Sequence, residues 1–181
     1  VRQVLASFGV VWSRSRLMRL APGADVPEHA DINHHWHHRV RVHIPIVTRP
    51  EVRFHCGGEV VHMAAGEAWI FGDWRRHRVE NPTPDARVHL VADTSGSAAF
   101  WQFVAMSTQP GTLFREHRFD PKLDALPLTE AVPPPPVMEP SEVETITRFL
   151  TTELAAADDS DDARAQLTRY AAMLEAFARD W

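Results

Sequence analysis

Hydrophobic and polar residues alternate strictly through RVRVHIPIV, residues 39–47. Arg39, Arg41 and His43 fall on one face, and Val40, Val42, Ile44 and Ile46 on the other, which is the period of a β-strand. Pro45 lacks an N–H and so belongs at an edge or a strand end. EVRFHC and EVVHMA flank Gly57-Gly58, the signature of a two-residue hairpin. EAWIFGDW and ARVHLVADT read as further strands, with APGAD and NPTPDA as the turns between. From about residue 10 to 94, short strands at roughly ten-residue spacing with no helix between them predict a small barrel or double-sheet jelly roll.

After Thr94 the pattern changes. SAAFWQFVAM reads as a short helix, and residues 108–140 as a loop ending in Pro133 to Pro136, a stiff spacer. SEVE at 141–144 forms a capping box leading into Val143, Ile146, Leu150 and Leu154. A second helix starts in the acidic DDSDD, whose carboxylates favour a helix N-terminus. Ala163, Leu167, Tyr170, Leu174, Phe177 and Trp181 then mark a packing stripe. It would bury against the barrel or a second subunit, so a homodimer through these helices is one expected arrangement. The expected division is a β-core over 1–107, a Pro-rich linker over 108–140 and a helical pair over 141–181.

Composition narrows the partners. With a net charge of −5, the chain lacks the basic excess that a nucleic-acid or anionic-membrane partner favours. No apolar run approaches the length of a bilayer span. The one cysteine, Cys56, excludes an internal disulfide or a Cys-based zinc site, and a lone thiol suits a reducing compartment. The opening VRQVLASFGVVW shows no signal-peptide pattern. A cytoplasmic protein with a small-molecule or peptide substrate is expected.

The candidate chemistry lies in HADINHHWHHRVRVH, residues 29–43, which holds six of the eleven histidines. His29 and Asp31 are two residues apart, so an extended backbone points both side chains the same way. His77, at the start of a predicted strand, is the candidate third ligand. Two histidines and one carboxylate would occupy one face of a metal and leave the other open. Arg87 opens the next strand and shares a face with His89. An arginine turned into a barrel is costly unless an anion meets it, and a dicarboxylate cosubstrate would supply one. Arg41 and His43 could take its second carboxylate. The alternative is that both arginines face solvent.

LMRLAPGADVPEHAD, RVRVHIPIV and EVVHMAAGEAWIFGDWRRHRVENPTPDARVHLVADT, in that order, resemble the aspartyl/asparaginyl β-hydroxylase family of 2-oxoglutarate oxygenases. The resemblance spans about residues 17 to 94. It implies a double-stranded β-helix, a cupin-like jelly roll, with Fe(II) at His29 and His77. It implies Arg87 on the distal carboxylate of 2-oxoglutarate, Arg41 and His43 near its other end, and O₂ as oxidant. The implied reaction is hydroxylation of an aliphatic C–H of an amino-acid unit. Two positions depart from the family. Asp31 adds a carboxylate ligand that the animal peptide hydroxylases lack, and Met18 stands where better-known members have a serine that helps hold the cosubstrate. The segment from Asp31 to Arg41 is also longer, which puts His34, His35, Trp36, His37 and His38 in an inserted loop. His34 and Trp36 there, with Trp74 and Arg75 just before His77, are the candidate substrate contacts. HRVEN also fits the second half of a cupin signature, so the rival reading is a non-catalytic cupin-like binding module.

Overall fold

The computed structural model describes residues 1–107, 116–131, 138–157 and 161–180. The chain forms two compact units, Val1–Val132 and Pro133–Trp181. The first contains α1 (Arg2–Ser7), β1 (Val11–Leu20), β2 (Asp25–His29), β3 (Val40–Val47), β4 (Arg53–Cys56), β5 (Glu59–Val61), β6 (His77–Glu80), β7 (Arg87–Thr94), α2 (Ala98–Ser107) and β8 (Leu128–Thr129). Its strands form two sheets, ordered β3-β7-β1-β8 and β2-β6-β4-β5. Every ladder is antiparallel except β1–β8. The sheets share an interior in which His43 of the first meets Phe54 of the second, ring centroids 6.5 Å apart. The fold is a double-stranded β-helix.

The alternation in β3 and β7 separates two buried surfaces rather than a buried one from a wet one. Val42, Ile44, Leu90 and Ala92 pack with Trp12 against Leu5 of α1 and Phe100 of α2, outside the barrel. Arg41, His43, Arg87, His89 and Asp93 occupy the opposite face and are also buried. The helices therefore dry the outside of the first sheet, and the second sheet covers its inside. A separate apolar group of Val52, Phe54, Met63 and Val79, with Leu20, Val26, Trp69 and Phe71 packed on it, fills part of the interior. The Gly57-Gly58 hairpin forms as expected, with positive φ at both residues (58° and 88°), where a side chain would be strained.

Several elements depart from the expected pattern. EAWIFGDW forms one bridge, Trp69 to His43, instead of a strand. The Glu67 carboxylate accepts from Ala64 N–H and Trp69 Nε1, and such local bonds compete with a ladder. Ile46 is 45% exposed because β3 runs past its cover. Helix α1, absent from the pattern, closes one side of the outer core. Residues 116–131 belong to the barrel instead of a linker. There β8 pairs with β1, Glu130 N–H donates to Trp12 O, and the Gln3 amide bonds to the backbone of Asp120 and Leu123.

The second unit is α3 (Pro140–Ala157) packed on α4 (Asp161–Asp180). The cap lies two residues before the expected box. Glu139 precedes Pro140, and the Glu142 carboxylate reaches back to accept from Glu139 N–H at 3.1 Å. Proline at the first helical position loses no intrahelical bond, which sets this start. Leu167 and Leu174 of the expected stripe are half-buried, while Tyr170 and Phe177 are exposed. The proline run 133–136, Trp181 and the first three residues of DDSDD fall outside the described residues, as do the side chains of Leu150, Leu154 and Ala163. No helix among the described residues is long and apolar enough to cross a membrane.

Trp12 is 2% exposed and its indole N–H donates to Leu5 O at 2.9 Å, tying α1 to the sheet. Trp12→Ala should lower the unfolding free energy by about 3–5 kcal/mol in urea titration, through the cavity it leaves.

Candidate metal centre

His29 ends β2 and His77 begins β6, and a bulge brings them together. Val26 faces Val79 and His29 faces His77, so β2 carries one more residue than β6 between the two pairs. A bulge turns following side chains onto the other face, and here it puts His29 opposite His77 with ring centroids 4.3 Å apart. Pro27 lies within the bulge, where its missing N–H costs no ladder bond. Asp31 follows, held by its N–H to Asp73 O at 2.9 Å. The donor atoms of His29, Asp31 and His77 all lie within 4.8 Å of one another, near enough for one ion.

The histidines are also prepared in their proton positions. His29 Nδ1 is 2.8 Å from Pro27 O, and His77 Nδ1 is 2.8 Å from Arg75 O. A carbonyl only accepts, so each Nδ1 carries the proton and each Nε2 keeps its lone pair for a metal. His77 is buried, whereas the side chains of His29 and Asp31 are 42% and 27% exposed. The cluster therefore opens on one side.

From His77 a line of rings leads inward. His77 meets Phe71 at 4.9 Å, Phe71 meets His43 at 5.1 Å, and His43 meets His89 at 5.9 Å. At the end lies Arg87, whose Nη2 donates to His89 Nδ1 at 3.0 Å. Arg87 is 6% exposed, and no carboxylate pairs with it among the described residues. Its Nε has no partner, and neither do His89 Nε2 or either ring nitrogen of His43. Burial pushes the Arg87 guanidinium down to about 10. Burial, with Arg87 nearby, pushes the His89 imidazole down to about 3. Burial likewise takes His43 well below the ordinary histidine range, with His89 and Arg87 adding to it. Both histidines are neutral near pH 7, and the pocket holds one uncompensated positive charge.

Arg41 behaves differently from the expectation. Its Nε and Nη2 donate to the two carboxylate oxygens of Asp93, at 2.8 and 3.1 Å, and its face lies 4.3 Å over Trp36. Its fork is thus filled by an internal carboxylate, and Nη1 is 4.0 Å from Asp31 Oδ2. Arg41 also faces Asp31, one of the three clustered donors, while the Nε–Nη2 edge of its guanidinium is taken by Asp93. Asp93 shares the Arg87 face by period two, a signal present in ARVHLVAD.

The inserted loop also departs from expectation. It forms a 3₁₀ turn, His34–His37, capped by the Asn33 side chain. His35 and Trp36 are buried, and His35 Nε2 is 3.2 Å from Asp93 Oδ2. The turn packs against Arg41, because Trp36 and His35 find an aromatic-cation contact and a buried carboxylate. The His34 side chain lies outside the described set. Trp74 is half-buried, and the exposed Arg75 lies against Gly57 and Gly72. Sequence reasoning also missed Asp73, whose carboxyl burial pushes up to about 7, Arg41 opposing and Asp31 reinforcing the rise.

A cupin-like barrel with two histidines and an aspartate gathered at an opening is the class of protein that these features define. The family described as Aspartyl/Asparaginyl beta-hydroxylase matches residues 2–96, more than half of the chain, and the chain belongs to that family. That description names a hydroxylase. No curated protein matches the sequence. Among solved structures, a predicted oxalate decarboxylase from Thermotoga maritima is 21% identical, with 44% of this chain and 64% of that one covered and a TM-score of 0.36. A cupin 2 conserved barrel domain protein from Salinispora arenicola is 22% identical over 50% of this chain and 69% of that one, at 0.35. A salicylate 1,2-dioxygenase from Pseudaminobacter salicylatoxidans is 18% identical over 50% and 23%, at 0.37. Likeness at these scores says nothing about chemistry.

Asp93→Ala would take the bidentate partner from the buried Arg41 and leave it only Asp31, at 4.0 Å. The expected loss is about 3–5 kcal/mol of stability in chemical unfolding, with Asp93→Asn losing less because one acceptor remains.

Proposed function

We propose that the chain is an Fe(II)- and 2-oxoglutarate-dependent hydroxylase acting on an aliphatic C–H of an amino-acid unit. The unit is of Asp or Asn type, in a peptide or as a free or carrier-bound amino acid. One observation carries the reading. Arg87 is a buried guanidinium with an orphaned Nε and no carboxylate partner among the described residues, in the same unit as an open His29–Asp31–His77 cluster. Burying such a charge unpaired is costly, and the distal carboxylate of 2-oxoglutarate is an anion of the right shape for a guanidinium fork.

The donor set fits iron. Two imidazole nitrogens and one carboxylate, with open positions, are the ligands of non-haem Fe(II) oxygenases. His29 and His77 would bind through Nε2, and Asp31 through a carboxylate oxygen. Bound iron would supply O₂ activation coupled to oxidative decarboxylation of 2-oxoglutarate to succinate and CO₂. The chain does the rest. Arg87 holds and orients the cosubstrate, His43 lines the pocket as a neutral ring, and Phe54 and Phe71 exclude water between the metal ligands and the anion seat. The exposed side of His29 leaves an approach for a substrate.

His29→Ala or His77→Ala should abolish substrate-dependent succinate formation by protein supplied with Fe(II), 2-oxoglutarate and ascorbate. Turnover retained in either variant refutes the assignment. Arg87→Ala should raise the apparent KM for 2-oxoglutarate by about 30-fold or more, from a lost charge-assisted pair. Metal affinity, read by calorimetry, should stay near the parent value. An unchanged KM would remove Arg87 from the cosubstrate site.

A further inference from the structure

His89 is 1% exposed and sits two residues after Arg87 on the same face of β7. Its Nδ1 is 3.0 Å from Arg87 Nη2. A guanidinium has no acceptor, so Nδ1 must accept and the single ring proton must reside on Nε2. That Nε2–H is buried and has no partner among the described residues. Arg87 Nε–H is in the same condition. Two unsatisfied donors thus accompany one buried positive charge, and buried donors in a folded protein are ordinarily paired.

Nothing on the facing strand can satisfy them. The residue opposite His89 on β1 is Met18, and a thioether has no hydrogen to donate and accepts only weakly. Neither ring nitrogen of His43, the neighbouring ring, has a hydrogen-bond partner among the described residues. What completes this set is an external group with several acceptor lone pairs and a negative charge.

We infer that His89 is a binding residue for the cosubstrate, its Nε2–H and the Arg87 guanidinium together seating the distal carboxylate of 2-oxoglutarate. His89 also positions Arg87, since the Nδ1 lone pair holds Nη2 and sets the angle of the fork. The inference rests on the 2-oxoglutarate reading proposed above and adds to it the donor on β7. A keto acid without a distal carboxylate makes no use of this seat.

Calorimetry with Zn(II)-loaded protein, a redox-inert stand-in for iron, tests it with two probes, 2-oxoglutarate and the monocarboxylate 2-oxobutyrate. His89→Leu should weaken 2-oxoglutarate binding by roughly tenfold or more, the scale of one lost hydrogen bond to a charged group. Binding of 2-oxobutyrate and of Zn(II) should not change. His89→Gln, which restores an N–H, should recover part of the loss. Met18→Ser placed in the His89→Leu chain should recover part as well, by offering a hydroxyl from the opposite strand. Equal 2-oxoglutarate affinity in wild type and His89→Leu overturns the inference while leaving the hydroxylase reading intact. If wild type binds no 2-oxoglutarate, both fall. A measurement on the unaltered protein covers the case in which the leucine variant does not fold. In ¹⁵N-histidine-labelled, Zn(II)-loaded protein, the His89 Nε2 proton should shift and gain exchange protection when 2-oxoglutarate is added. An unmoved resonance at saturating 2-oxoglutarate overturns the inference.

Discussion

A guanidinium taken out of water costs several kcal/mol unless an anion meets it, and two arginines lie inside this barrel. Arg41 meets Asp93 in a bidentate pair across the β3–β7 ladder. That pair organises much of what surrounds it. Trp36 stacks on the guanidinium, His35 bonds the same carboxylate, and the remaining Nη1 faces Asp31. Arg87 obeys the same constraint with the opposite outcome, since no carboxylate among the described residues meets it. The first arginine is spent on structure, and the second is left available to a ligand.

This division explains how one interior can be both folded and reactive. The outer face of β3 and β7 is dry and aliphatic, packed under α1 and α2. Cohesion is concentrated there, so the inner face can carry histidines and arginines that a core of the same size would not tolerate. The aromatic rings of Phe54 and Phe71 then separate the polar groups into two ends, with the His29–Asp31–His77 cluster at the opening and Arg87 deeper in.

Much of this was legible in the sequence, and the rest was hidden for definable reasons. Strict alternation located β3, and HRVEN with ARVHLVAD located β6 and β7, because period two over several residues has few other causes. His29, Asp31 and His77 could be named together from their residue types. Their meeting depends on the bulge at Pro27 and Glu28, a register change that no periodicity announces. The Arg41–Asp93 pair escapes the pattern, which offers Arg41 a cosubstrate carboxylate, because Asp93 lies on another strand and pairing across strands is set by register. Strand β8 has two residues and helix α1 six, too short for any period to show. EAWIFGDW has strand-like composition, yet Glu67 draws its backbone and Trp69 into local bonds. The burial of His35 and Trp36 in the inserted loop is not legible, because a buried carboxylate awaiting His35 cannot be seen from composition.

The bulge at Pro27 has a second effect. Strand β2 is an edge of one sheet and β3 an edge of the other. Each carries a proline and a register shift, between Val26 and His29 in one and between Pro45 and Val47 in the other. An edge with a missing donor and a kink is a poor template for another chain's strand. The irregularity that aims His29 at His77 therefore also guards one border of its sheet against stacking into aggregates, while the border at Pro45 is covered by the backbone of Gly66 and Trp69. In this protein the geometry of the site and the colloidal safety of its sheet draw on the same bulge.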